Sequence, residues 1–456
     1  MSELAYKRTN VYEVADKKTM KKIFSYAEEY KKFIDAAKTE REACAYVAAE
    51  AEKHGFKPFK FGEKLKKGDK VYYNNRGKNI YLIRVGSDDV KTSGIRIVAS
   101  HIDSPRLDFK QVPLYESDGV ALGKTHYYGG IKKYQWTTIP LALHGAVVLG
   151  DGSKVEVKIG EDEGDPVFYI SDLLPHLSQK QNTKTLAEAF SGEDLNIWLG
   201  NIPYTAAKED GDKTVKENLL HILNEKYGIK EEDFLSAELS LVPAFKARDI
   251  GFDRALIGAY GHDDRVCSYP AFSALFDTET DGKTVMVADK EEIGSEGTTG
   301  MQCAIFTDLI DAIAYSFDTT SAVIRANSKC LSADVNAAYD PNFKDVNEPM
   351  NSTYVSCGAG LTKFTGARGK SGSNDASAEF MAEVRKMFND EGVIWQTGEL
   401  GKVDQGGGGT VAKYIAKMNI DTVDIGVAVV SMHAPYEVIS KADVYEMYLA
   451  CKAFMK

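Results

Sequence analysis

The pattern of apolar and polar positions changes texture twice along the chain. The first hundred residues read as two helices followed by strands. Thr39 with Glu42 forms a capping box that opens the second helix, and His54-Gly55 closes it. Ile80–Val85 and Ile95–Ser100 are β-branched runs bounded by glycine and charged residues, hence strands, and the second delivers His101 at its C-terminal end. From about residue 104 to 240 glycine-rich turns (Gly119, Gly123, Gly129-Gly130) separate short alternating runs such as Lys154–Lys158, which predicts a mostly β segment. A polar stretch, Gln179–Thr185, and a helical run near Val215–Tyr227 sit inside it. After residue 240 strands and helices alternate again: a strand at Thr284–Ala288, helical patterns near Met301–Phe317 and Asn374–Phe388, a strand at Val423–Val430 and a helix at Ala442–Met455.

This order predicts an α/β fold whose catalytic domain has a mixed central β-sheet flanked by helices. The expected domains are a discontinuous one, residues 1–103 and 241–456, and an inserted β-rich one, residues 104–240. In such a sheet small-molecule chemistry belongs in the crevice beyond the strand C-termini.

Composition narrows the function classes. The 456 residues carry a formal net charge of −11, which argues against nucleic acid as a partner, since that binding needs basic surface to displace counterions. No secretory signal is read at the N-terminus. The longest apolar stretch, Ile139–Leu149, contains His144 and is far shorter than the roughly 20 residues of a spanning helix, so no membrane association is expected. Six dispersed cysteines without a CxxC pair read as reduced thiols of a cytoplasmic protein.

Five segments end an apolar run with residues that seek metals: Val98–Asp103, Gly261–Arg265, Asp289–Gly294, Ser332–Val335 and Ser431–Ala434. His101 and Asp103 stand two apart on an extended chain, so both side chains point to one face. Asp103 can then accept from the ring nitrogen that His101 withholds from metal. The plainer alternative is a structural histidine in a polar loop. Asp263-Asp264-Arg265 opens a helix, where acidic residues serve equally as an N-cap and first turn. A carboxylate between two dications, however, lets them approach one another. Glu291-Glu292 places two repelling carboxylates on one turn, either a solvated acidic turn or one ligand and one base. The base would take a proton from water activated by a dication and pass it to a leaving amine. Asp334 and His433 each close a buried-strand pattern, where an unpaired charge is costly.

Other motifs fail. Gly369-Lys370-Ser371 resembles a P-loop ending, but Phe364 stands where that loop needs glycine. Gly406–Gly409 lacks the context of a dinucleotide fingerprint, and no Gly-x-Ser-x-Gly elbow is present.

Together the strings Ser100-His-Ile-Asp-Ser-Pro105, Asp289-Lys-Glu-Glu-Ile-Gly-Ser-Glu296 and Ser431-Met-His433 resemble the zinc aminopeptidases of the aspartyl aminopeptidase and vacuolar aminopeptidase I family. The likeness runs from about Tyr12 to the C-terminus. It implies two divalent ions per subunit, zinc first, with cobalt or manganese compatible with the same N/O donors. One ion would be held by His101, Asp263 and Asp334, the other by Asp263, Glu292 and His433. Glu291 would be the acid/base and Asp103 the partner of His101. In related two-metal peptidases the peptide bond after the bridging aspartate is cis. The resemblance also implies a tetrahedral homododecamer built from dimers through the inserted domain, with His176 a candidate donated to a neighbouring subunit and Lys363 a candidate pocket residue.

The chain departs from the aspartate-specific pattern. Ala337 stands where those enzymes carry histidine, and Ser371 matches the place of their tyrosine. The expected activity is therefore removal of neutral or basic N-terminal residues from peptides. Another two-metal amidohydrolase (a deacylase or carboxypeptidase) and a catalytically silent assembly protein are the rival readings.

Overall fold

The computed structural model describes residues 4–86, 89–205, 213–278, 283–288 and 290–456. The chain divides into two compact units, one of residues 1–103, 247–432 and 437–456, the other of residues 104–246 and 433–436. The boundary expected between 240 and 241 falls inside the strand Glu238–Pro243, whose pairing keeps it in the second unit.

The first unit is built on a mixed nine-stranded sheet. Its four adjacent central strands, Lys283–Ala288, Arg96–His101, Lys329–Ala333 and Asp421–Gly426, are all parallel. Their C-terminal ends therefore lie along one edge. Side chains alternate across the sheet as a two-residue period requires. Val98, Leu331, Val423 and Ile425 enter one buried cluster, while Ile97, Ala99 and Cys330 enter the cluster on the opposite face. That two-sided burial is why these strands read as nearly continuous apolar runs.

Helices cover both faces. Lys17–Ala36 starts at Asp16, whose carboxylate accepts from the Thr19 N–H at 2.7 Å. It buries Ile23, Ala27, Tyr30, Phe33 and Ile34, a stripe at helical spacing. Glu40–Lys53 follows with the Thr39–Glu42 capping box in place. The helix His262–Asp277 is buried on nearly all sides, as is the C-terminal helix Lys441–Phe454. The run at Asn374–Phe388 becomes a helix only from Ala378, because Ser377 caps it through the Phe380 N–H. The run at Met301–Phe317 is helical over Ile305–Ser316.

One expected strand is two. Val423–Val430 is split at Gly426: Asp421–Gly426 closes the parallel core, while Ala428–Val430 joins a separate five-stranded sheet. The split lies beside Asp334. The Asp334 N–H donates to the Ile425 carbonyl at 2.9 Å, and a Cβ on Gly426 would lie 1.7 Å from the Asp334 carbonyl oxygen. Only a residue without a side chain permits that approach.

The second unit holds an antiparallel six-stranded sheet in the order Lys154–Ile159, Leu141–Val148, Glu238–Pro243, Arg106–Ser117, Val120–Tyr128, Ile197–Gly200. The helix Val215–Tyr227 belongs to the same unit, capped by Thr214 and ended by Gly228 in the left-handed conformation. His144, in the longest apolar stretch, is buried against Glu161 at 3.0 Å. All six cysteines are free thiols, five of them buried. No helix among the described residues is long and apolar enough to cross a membrane.

The Gly426 contact makes a specific demand. Gly426→Ala must push the Asp334 backbone aside, an overpacking cost of about 1–3 kcal/mol. Denaturant unfolding is expected to show that loss together with weakened metal retention, whereas unchanged stability would mean the strand relaxes freely.

Candidate metal centre

The candidate metal ligands and the candidate base sit at or just past strand ends. His101 is the last residue of Arg96–His101. Its Nδ1 lies 3.1 Å from both the carbonyl and the Oδ1 of Asp103. Both are acceptors, so Nδ1 carries a proton and Nε2 is turned to the other carboxylates, 3.3 Å from Asp263 and 3.7 Å from Asp334. The backbone of His101 is fixed as well. Its N–H donates to Asp264 at 3.3 Å, and its carbonyl accepts from the Ser268 hydroxyl at 2.7 Å.

Asp103 has a second task. Its two oxygens accept from the Glu291 N–H at 3.1 Å and the Glu292 N–H at 3.2 Å. One fully buried carboxylate thus orients the histidine and seats the turn that carries both glutamates.

Asp263 and Asp264 begin the helix His262–Asp277 with non-helical backbone, and the bond between them is cis. The Asp263 N–H donates to Glu437 at 3.1 Å. The next residue, Arg265, is buried and donates to the carbonyls of Ile102 and Lys38 at 3.2 and 3.0 Å.

These placements make a coordination-sized cluster. Donor atoms of His101, Asp263 and Asp334 all lie within 4.8 Å of one another, as do oxygens of Asp263 and Glu292. The electrostatics show crowded negative charge. Burial, then the charges of Asp334, Asp103 and Asp263, push Glu291 up to about 8, with His101 opposing. Burial and the Asp263 charge also raise Asp334, again opposed by His101. Burial and the charges of Asp334 and Asp263 lift Asp264 well above the carboxylate range. Burial disfavours a charged His101, yet Asp103, Asp263 and Asp334 hold it well above the ordinary histidine value. An imidazole nitrogen converging with several carboxylates, itself held by a buried carboxylate, is a donor set that fits a divalent cation.

The remaining candidates are placed as follows. His433 follows the strand Ala428–Val430 and belongs to the second unit, where its Nδ1 lies 2.8 Å from the Gly130 carbonyl. His176 is exposed on a short turn, Pro175–Leu177. The Lys363 ammonium is engaged by Asp375. It follows the strand Ala359–Thr362, which runs antiparallel to Asp421–Gly426, so the chain there heads away from the edge where the cluster lies. Asp289 lies outside the described residues. Glu437, which accepts from the Asp263 N–H, is an addition. Nothing marks it in the sequence except a carboxylate opening an otherwise apolar run, Val438–Ser440.

A family model described as aminopeptidase I zinc metalloprotease (M18) matches residues 33–455. The chain belongs to the M18 family. It is 48% identical to a probable M18 family aminopeptidase 1 of Clostridium acetobutylicum, over 100% of this chain and 99% of that one. The crystal structure of an M18 aminopeptidase from Thermotoga maritima superposes with a TM-score of 0.94 at 44% identity, covering 99% of this chain and 100% of that one. The mApe1 dodecamer of Saccharomyces cerevisiae shares the fold at a TM-score of 0.74 and 22% identity, covering 94% of this chain and 95% of that one. The protein is a metallo-aminopeptidase, and the deacylase, carboxypeptidase and silent-protein readings fall away.

The raised proton affinity of this cluster predicts a pH dependence. Glu291, at about 8 against an ordinary 4.5, contributes stability that is complete below pH 4.5 and lost as pH rises through about 8. A cation takes the place of those protons, so the metal-induced rise in Tm should grow across that window. Thermal melts with and without zinc check this. A metal increment independent of pH would show that no protons are displaced.

Proposed function

We propose that this aminopeptidase holds two divalent ions, zinc first, that share the Asp263 carboxylate. His101 and Asp334 complete one site and Glu292 and His433 the other. The carrying observation is the convergence of His101 Nε2 with Asp263 and Asp334, with Asp103 seating the Glu291 turn beside them through the N–H groups of Glu291 and Glu292. Bound ions would supply Lewis acidity toward the scissile carbonyl and make water easier to deprotonate.

The chain's own residues do the rest. Glu291 takes a proton from the attacking water and returns it to the departing amine, a role that requires a proton affinity near the working pH. Asp103 keeps His101 in the ligating tautomer and holds Glu291 at its post. The substrate is a peptide with a free N-terminus. Ala337 and Ser371 in place of polar pocket groups favour neutral or basic N-terminal residues, since a site lacking partners for a carboxylate leaves it unpaired.

The protein is further proposed to be cytoplasmic and to act as a homo-oligomer, a tetrahedral dodecamer of dimers joined through the second unit. The shared fold with a yeast dodecamer and the exposed position of His176, available to a neighbouring copy, support that reading.

Two experiments test the mechanism and the preference. Glu291→Gln should retain metal by elemental analysis and lose turnover by about 10²–10⁴-fold. Near-wild-type activity would remove Glu291 from the base role. A panel of aminoacyl anilides should rank neutral and basic residues above Asp and Glu, and release dominated by the acidic pair would reverse the specificity assignment.

A further inference from the structure

The turn Glu291–Ile293 carries the proposed base, yet it is only three residues long. Lys290 before it and Gly294 after it both have left-handed backbone, at φ 64° and 98°. So short a segment cannot fix its own position. Asp103 grips its leading side through two N–H groups. The trailing side ends at the Gly294 carbonyl, which accepts from the Tyr414 hydroxyl at 3.2 Å and from the Gln302 amide at 3.0 Å.

Tyr414 in turn sits on the helix Ala412–Ala416, only five residues long, which tertiary contacts must hold in place. Val411 and Ile415 anchor it in the apolar cluster on one face of the sheet. Its start is set by Thr410. That hydroxyl accepts from the Ala412 N–H at 3.3 Å and donates to the Asp424 carboxylate at 2.7 Å. Thr410 and Asp424 are both buried, and Asp424 lies in the parallel core strand Asp421–Gly426. The preceding residues, Gly406–Gly409, have no side chains with which to hold this connection, so the hydroxyl–carboxylate bond adds a polar tether to the sheet beside the apolar anchors.

We propose that Asp424, Thr410 and Tyr414 form a positioning relay that holds the Glu291 turn from the side opposite Asp103. This rests on the reading of Glu291 as the base. None of the three is a catalytic residue: each acts through the next, and Tyr414 delivers the constraint to the Gly294 carbonyl. Removing one hydroxyl should leave the ions and the fold in place while letting the base drift.

The test uses the full chain loaded with zinc. Tyr414→Phe and Thr410→Val each delete one hydroxyl at nearly constant shape, and Thr410→Ser restores the hydroxyl. Misplacing a reacting group by about 1 Å costs roughly 100-fold, and a loosened turn should cost about tenfold in kcat. KM should stay within about twofold of wild type, since binding elsewhere is untouched. Metal content should be unchanged and Thr410→Ser should recover the rate. Adding Tyr414→Phe to Glu291→Gln should produce no further loss, because nothing remains to be positioned.

Wild-type kcat in both Tyr414→Phe and Thr410→Val, with Glu291→Gln inactive, overturns the relay alone. An active Glu291→Gln overturns the base reading on which the relay rests. A further loss of rate in the double variant also overturns the relay, since the effect would then reach the centre by another route.

Discussion

Like charge held away from water is the condition to which the first unit is built. Asp103, Asp263, Asp264 and Asp334 crowd around one imidazole, with Glu291 close behind, and most of them are buried. Burial and mutual repulsion raise the proton affinity of Glu291, Asp334 and Asp264 above that of an ordinary carboxylate. The fold supplies the restraint. Parallel strands end together at one edge, hydrogen bonds fix the backbone at His101 and Asp263, and the buried cation Arg265 ties the loops behind them. The cost of the crowding is thus met by secondary structure, which holds the carboxylates close to the imidazole.

Much of this was legible in the residues because the signals were local. The Thr39–Glu42 box, the helix Val215–Tyr227 and the strand ending at His101 depend on near neighbours, and they stand where the pattern put them. The cluster was legible for another reason: polar residues that close apolar runs must answer for their burial, and His101, Asp263 and Asp334 do so together.

What stayed hidden is set by distant parts of the chain. Periodicity cannot show that Val423–Val430 is shared between two sheets, because Gly426 breaks the run only through its approach to the Asp334 backbone. The late start of the helix at Ala378 turns on Ser377 capping it instead of Asn374 extending it. Glu437 gave no signal, since its partner is a backbone N–H 174 residues away in sequence. That Ala359–Thr362 runs antiparallel to Asp421–Gly426 is set by pairing across the sheet, which is not written in any one segment.

The chain crosses from the first compact unit to the second between Asp103 and Ser104. The residue that steers His101 and seats the glutamate turn is also the last one before the crossing. Anyone trimming the molecule to a minimal enzyme would have to suture the cut directly onto that carboxylate. A graft one residue too short or too long would rotate it out of register, which makes the intervening 143 residues far harder to excise than an ordinary surface excursion.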